Sequence, residues 1–250
     1  MDARKEGLLL KTLFSDQVRT YAVGSGLGMW AALRPGIILC VHPQVRRWLV
    51  PFILACSFYF LLWIPEDQPS WVSALVKCLP ILCLVVFLWA VTPGRSSSWL
   101  LQGALVCSAV GDACLIWPEA FLYGMAAFSA AHLFYLRAFG LSPLQPGLLL
   151  YIMLASLIYY SFLLPHLEPD MVLPVLAYGL ILSSMLWRSL VRGGSAGWGG
   201  VLFTISDGVL AWNAFICSLP FARHVIMTTY YAAQLLLILS GPRNPGLKTH

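Results

Sequence analysis

The sequence predicts an all-α membrane protein of about eight transmembrane helices, built as a parallel 4+4 internal repeat with both termini cytosolic. Three observations predict it. The first is composition: 60% of the 250 residues are hydrophobic and only 10% are charged, with a mean hydropathy of +0.81. That leaves too little polar surface to cover a soluble globule of this size. The second is the recurrence, from residue 48 to residue 240, of apolar stretches near the roughly 20 residues that a spanning helix needs. The third is the placing of the basic residues, which gather in every second connection.

Residues 1–47 hold seven Lys or Arg and a weakly apolar patch from Tyr21 to Leu33, cut by three glycines and closed by Arg34-Pro35. The patch is too short to span and lacks a clean cleavage site, so residues 1–47 read as a cytosolic or interfacial leader. The first span, 48–64, is short. The second, 71–91, opens on Trp71 and contains Lys77 and Leu79-Pro80. The third, 99–117, carries Asp112 and closes on Trp117, and the fourth, 120–140, carries Ala131-His132. After the fifth span, 146–164, a Pro-rich outer connection holds His166, Glu168 and Asp170. The sixth span covers 171–191, the seventh 197–217 with Ser206-Asp207, and the short eighth 224–240 with Tyr230 and Gln234. Pro or Gly punctuates most connections. A cytosolic tail, 241–250, follows, and the eight spans form one domain.

Thirteen of the fifteen Lys and Arg fall in the leader, the even connections (Arg95, Arg137, Arg188, Arg192) and the tail (Arg243, Lys248). The odd connections hold Glu66, Asp67, Glu119, Glu168 and Asp170, with Arg223 as the basic exception and Lys77 inside a span. Basic residues mark the cytosolic side, so this alternation requires an even number of spans. A net charge of +5 spread in this way is orientation charge. It makes no basic face interleaved with aromatics, so nucleic acid is not a partner.

Three matches carry the repeat. Leu79-Pro80-Ile81-Leu82 returns as Leu173-Pro174-Val175-Leu176, and Ala130-Ala131-His132-Leu133 as Ala232-Ala233-Gln234-Leu235. Asp112, with Leu115 and Trp117 after it, returns 95 positions later as Asp207, Leu210 and Trp212. Four spans separate each pair, so the halves share one orientation, and the aspartates would face each other across a pseudo-twofold axis.

An ionisable residue inside a span is costly and is read as functional by default. With Trp71, Trp117 and Trp212 taken as interface anchors, Asp112, Asp207 and Lys77 all lie roughly 8 to 9 Å below the non-cytosolic interface. Tyr230 reaches a similar level, and His132 and Gln234 lie slightly deeper. Ser108 stands one helical turn before Asp112. Each has a plainer reading beside the functional one. An aspartate is sometimes satisfied structurally by Ser or backbone groups, Lys77 either snorkels or faces the aspartates, and His132 is either a core histidine or a proton carrier. Tyr230 and Gln234, spaced i to i+4, either glue helices or belong to the site. The matched motif around the two aspartates favours the functional reading.

Other patterns carry no chemistry. Gly193-Gly194-Ser195-Ala196-Gly197 fits GxSxG but lies in a cytosolic loop between helices, without the strand that a nucleophile elbow requires. Gly24-Ser25-Gly26-Leu27-Gly28 follows no strand and opens no dinucleotide site. Seven cysteines, most of them inside apolar spans and none in a CxxC, indicate neither a disulfide framework nor zinc. With no HExxH, no metal or other cofactor is implied. The general acid-base equipment is the aspartate pair and its neighbours.

As an ordered set, Lys77-Cys78-Leu79-Pro80, Gly111-Asp112, Ala131-His132-Leu133-Phe134-Tyr135, Ser206-Asp207-Gly208 and Thr229-Tyr230-Tyr231-Ala232-Ala233-Gln234 resemble the lysoplasmalogenase family of multispan membrane proteins. The resemblance covers roughly 48–240 and does not extend to residues 18–46. It implies hydrolysis of the vinyl ether of a lysophospholipid substrate, the 1-alkenyl-glycerophosphoethanolamine or -choline, to a fatty aldehyde and the glycerophospho-headgroup, in the endoplasmic reticulum membrane. It implies Asp112 and Asp207 as the catalytic pair; Lys77, His132, Tyr230 and Gln234, grouped with them by depth, and Ser108, a turn before Asp112, are the expected substrate-binding residues. The chemistry suits two carboxyls: protonation at carbon creates an oxocarbenium ion that water captures, work for one acid and one carboxylate, as in glycosidases. The residues alone also fit a lipid-binding or proton-coupled transport protein, in which the aspartates relay protons or hold a headgroup.

Overall fold

The computed structural model describes residues 43–64, 69–92 and 98–241; most of the leader and nearly all of the tail lie outside the described residues. Eight long helices run through the described residues: α1 (Pro43–Leu62), α2 (Trp71–Val91), α3 (Ser98–Cys114), α4 (Phe121–Phe139), α5 (Pro146–Leu163), α6 (Pro169–Arg192), α7 (Gly194–Phe215) and α8 (Ala222–Leu239). Short 3-10 turns at Pro118–Ala120 and Leu164–His166 follow α3 and α5. No strand occurs among the described residues.

Local chemistry sets the helix ends, and it moves three boundaries. Helix α1 begins at Pro43, inside the stretch that reads as leader, because proline suits the first position of a helix, where the N–H it lacks has no partner to lose. Pro146 and Pro169 open α5 and α6 in the same way. Helix α3 stops at Cys114 instead of running to Trp117. Pro118 pushes the residue before it out of the helical region, and Trp117 is extended, at φ −105° and ψ 121°. The cytosolic loop expected at Gly193–Gly197 contracts to a tight turn. Gly193 and Gly194 take φ of 74° and 56°, a conformation that glycine adopts without steric cost, and Ser195 already belongs to α7. A capping box between Ser70 and Ser73 starts α2.

Helices α2, α3, α4, α6, α7 and α8 pack as a ring, each on the next, and α8 returns to α2. Helix α1 lies outside on α2, and α5 lies outside on α6. These principal contacts map onto one another when every helix is replaced by the one four places on, although α5 also touches α7 and α1 has no matching contact of that extent with α3. The close seams α3–α4 and α7–α8 depend on glycines. A Cβ on Gly111 would stand 2.6 Å from the Phe128 ring, and one on Gly199 would stand 2.8 Å from Leu237 Cγ. Small residues of this kind let backbones approach where lipid supplies no hydrophobic drive between helices.

Among the described residues, three segments are long and apolar enough to cross a bilayer on their own: Trp71–Val91, Pro146–His166 and Pro169–Arg192. The chain is an integral membrane protein with multiple apolar helices. Other ring helices carry glycines and polar side chains on their buried faces, which lowers their mean hydropathy. Peripheral α5 is the opposite case: Leu163 is its buried residue, while Leu150, Leu154, Leu157, Ile158 and Phe162 are exposed. A helix that is apolar all round is one that faces lipid.

Arg188 departs from expectation. The sequence counts it among the orientation charges, yet the structure buries it fully in α6. Its guanidinium donates to the carbonyls of Gly140 (2.5 Å), Pro143 (2.8 Å) and Ser142 (3.2 Å), locking the α4–α5 connection. Arg192, a turn further on, donates to the carbonyls of Ser240 and Gly241 at the end of α8.

Candidate active site

Asp112 sits near the end of α3 and Asp207 in the middle of α7, and each receives a tyrosine hydroxyl from another helix. Tyr230 of α8 donates to Asp112 Oδ2 at 2.6 Å. Tyr178 of α6 donates to Asp207 Oδ2 at 2.5 Å. His132 of α4 joins the second pair, with Nε2 3.1 Å from the Tyr178 hydroxyl and 3.4 Å from Asp207 Oδ2. Because the Tyr178 proton points to Asp207, His132 Nε2 carries the hydrogen that faces both oxygens.

The two settings are not equivalent. Asp112 is 2% exposed, whereas the Asp207 side chain retains 11% exposure. Asp112 has one hydrogen-bonding side chain and Asp207 has a tyrosine with a histidine behind it. The rings of Phe128, Phe203 and Tyr230 meet edge to face between the two carboxyls' helices, with centroids 5.5 to 6.4 Å apart. His132 abuts Phe203 at 4.7 Å. This aromatic packing fixes the rotamers of the groups that hold the carboxyls.

The remaining residues singled out by the sequence fall around this centre. Lys77 and Asp207 both lie within electrostatic reach of Asp112. Lys77 forms no direct ion pair among the described residues, and its carbonyl accepts from the Tyr231 hydroxyl at 2.8 Å, tying α2 to α8. Gln234 is fully buried and accepts from Tyr135 at 2.5 Å, so it joins α8 to α4 one turn beyond Tyr230. Ser108 is fully buried a turn before Asp112, with no hydrogen-bond partner for its hydroxyl among the described residues. The rings of Trp71 and Trp117 lie 4.6 Å apart, which brings the ends of α2 and α3 to one level.

Tyr178 escapes sequence reasoning. Its only signal is position, four residues after the Pro174 of the repeated Leu-Pro motif, because a tyrosine in an apolar span otherwise reads as filler. Arg223, the exception in the charge count, also proves to be placed: it donates to the Ile64 carbonyl at 2.7 Å and the Tyr59 hydroxyl at 3.1 Å, and lies over the Trp63 ring.

A cavity of about 210 Å³ opens at the Trp117 end of the ring, with Lys77, Arg223 and Ser73 in its wall beside Trp117, Leu115 and Leu210. Neither aspartate lines it. Leu115, just past the end of α3, and Leu210 each follow an aspartate by three residues, so the cavity lies about one helical turn beyond both carboxyls. No group of three or more His, Cys, Asp or Glu suited to a metal occurs among the described residues.

The model of the YhhN family matches residues 72–241, from the start of α2 to the end of α8. Lysoplasmalogenase TMEM86B of Mus musculus is 75% identical over 250 residues, covering 100% of both chains. The human protein of that name is 61% identical over 249 residues, again 100% of each chain. A lysoplasmalogenase of Mycobacterium tuberculosis is 31% identical over 160 residues, 58% of this chain and 60% of its own. No solved structure matches. A family model matched over most of the chain, with relatives this similar over their full length, means that the chain belongs to the YhhN family and, within it, to the lysoplasmalogenases.

Proposed function

We propose that this chain hydrolyses the vinyl ether of 1-alkenyl-glycerophospholipids, and that Asp112 and Asp207 carry out the reaction as a unit. The observation that carries the reading is the pair of intramembrane carboxyls, each on a tyrosine hydroxyl, in one ring of helices. An acid transfers its proton to the outer vinyl carbon, and the positive charge develops on the carbon bound to the ether oxygen. Water adds there, losing a proton to the second carboxylate, and the hemiacetal collapses to the aldehyde and the glycerol hydroxyl. Water has to reach the group that activates it. Asp207, the more exposed carboxyl with His132 beside it, takes that role, and Asp112 delivers the proton. Lys77, His132, Tyr230, Gln234 and Ser108 orient the substrate and the carboxyls.

We also propose that all eight helices cross the membrane of the endoplasmic reticulum with both termini cytosolic, and that the two halves are a parallel duplication. The alternating charges and the fourfold shift in the neighbour map support this reading.

The decisive experiment uses purified protein in detergent, without a gradient, in heavy water. Aldehyde should appear with one deuterium on the carbon next to the carbonyl. Asp112→Asn and Asp207→Asn should each remove most turnover in a folded protein, and the double variant should be little worse than either, as for groups that act together. Aldehyde without that deuterium, under conditions where the free aldehyde does not exchange, would overturn the carbon-protonation route. Movement of substrate across sealed vesicles with no aldehyde formed would favour transport.

A further inference from the structure

The cavity at the Trp117 end is small, walled in part by aromatic and aliphatic side chains, and supplied with two cations from different helices. Lys77 comes from α2 and Arg223 from the first turn of α8, and Ser73, one turn before Lys77, adds a hydroxyl. Arg223 is held in place by Ile64, Tyr59 and the Trp63 ring. Among the described residues the Lys77 ammonium has no direct ion pair. A cation in an apolar wall is costly unless something of opposite charge meets it. Asp112, about one helical turn before the cavity-lining Leu115, answers part of that need. The cavity leaves room for a second anion above.

We infer that this cavity is the subsite for an organic phosphate monoanion, and that Lys77 and Arg223 bind it. This rests on the vinyl-ether reading above and adds the part of the substrate that lies away from the reacting bond. The dimensions agree. In a lysoplasmalogen the ether and the phosphate are attached to opposite ends of a three-carbon glycerol, and the cavity lies about one helical turn beyond the carboxyls. A volume of about 210 Å³ is below that of sites that enclose a whole drug-sized ligand. It admits the phosphate and part of the headgroup, while the alkenyl chain stays among the helices. The headgroup then enters at the end of the bundle where Ile64, Pro69, Trp117 and Pro118 line the cavity. A phosphate anchored there spends binding energy remote from the reacting bond to place the vinyl carbon at the acid.

The test compares two substrates and two variants. Purified protein is assayed with 1-alkenyl-glycerophosphoethanolamine and with 1-alkenylglycerol, which has the same ether and no phosphate. The ratio of their kcat/KM values should favour the phosphate substrate and fall about tenfold or more in Lys77→Gln. Any general effect of Lys77 on Asp112 acts on both substrates and cancels in the ratio. Arg223→Lys, which keeps a cation without the planar fork, should lower the ratio less than Arg223→Gln. A ratio near one in the wild type, or an unchanged ratio in the variants, would overturn the inference while leaving the hydrolysis intact. If neither substrate yields aldehyde, the hydrolytic reading is the one that fails. The subsite is then judged by heat stability, because glycerophosphoethanolamine should raise the melting temperature of the wild type and not of Lys77→Gln. Inorganic phosphate is the control in that arm: an equal rise with phosphate alone would overturn a headgroup site in favour of a general anion site.

Discussion

At the scale of single residues, the two aspartates share a motif but not a setting. Asp112 meets Tyr230 in an enclosed place, while Asp207 meets Tyr178 with His132 behind. A hydrogen bond to an ionised group is worth about 1.5 to 3 kcal/mol, which is roughly ten- to a hundredfold in rate if it is needed at the transition state. Tyr178→Phe should therefore lower kcat by that order, with little change in KM and no loss of folded protein. Unchanged kcat in Tyr178→Phe would reduce the tyrosine to a packing group. Tyr230 occupies the corresponding place on Asp112 from a different helix, so the two carboxyls receive the same kind of group by different routes.

At the scale of elements, the α7–α8 seam sets Tyr230, the partner of Asp112, against the Phe203 ring on the helix that carries Asp207. Gly199 stands where a Cβ would meet Leu237 Cγ at 2.8 Å and the Leu237 backbone nitrogen at 3.0 Å. A side chain can yield, but a backbone nitrogen inside a helix does not. Gly199→Ala should thus force the helices apart, at the roughly 1 to 3 kcal/mol typical of overpacking, and lower the melting temperature in detergent by several degrees. Gly147, in the first turn of α5, has nothing within 4 Å of its would-be Cβ. Gly147→Ala is the matched control and should be neutral or stabilising by up to about 1 kcal/mol, because alanine is the better helix former. Equal melting of the two variants would show that the seam tolerates separation.

At the scale of the whole molecule, the principal helix contacts repeat after four helices, and the proposed parallel repeat of four spans would return the chain to its starting side. The expected topology places the tail near Lys248 in the cytosol and the Glu168 connection on the far side. A protease site introduced at the tail should be cut in sealed microsomes, and one at Glu168 should be protected until the membrane is opened. The reverse pattern would invert the orientation. Arg188 adjusts the charge argument without weakening it: buried against the α4–α5 connection, it shows that a basic residue counted for orientation also serves as a structural clamp at the same end of the bundle.

The sequence by itself determined the class of the molecule, the order of its helices and the residues about which the candidate site is built. Those follow from linear quantities: apolar run length, charge by connection, and the cost of a carboxyl in hydrocarbon, which marks Asp112 and Asp207 wherever they point. Only the tertiary structure decided which groups meet them. Tyr178 lies 29 positions from Asp207 and Tyr230 lies 118 from Asp112, and their meeting depends on how each helix is rotated in the ring. Hydropathy specifies that rotation poorly in lipid, because both the buried and the lipid-facing sides of a spanning helix are apolar. The same reason hides the cavity between Lys77 and Arg223, whose walls come from both ends of the chain and meet only when α8 closes the ring against α2.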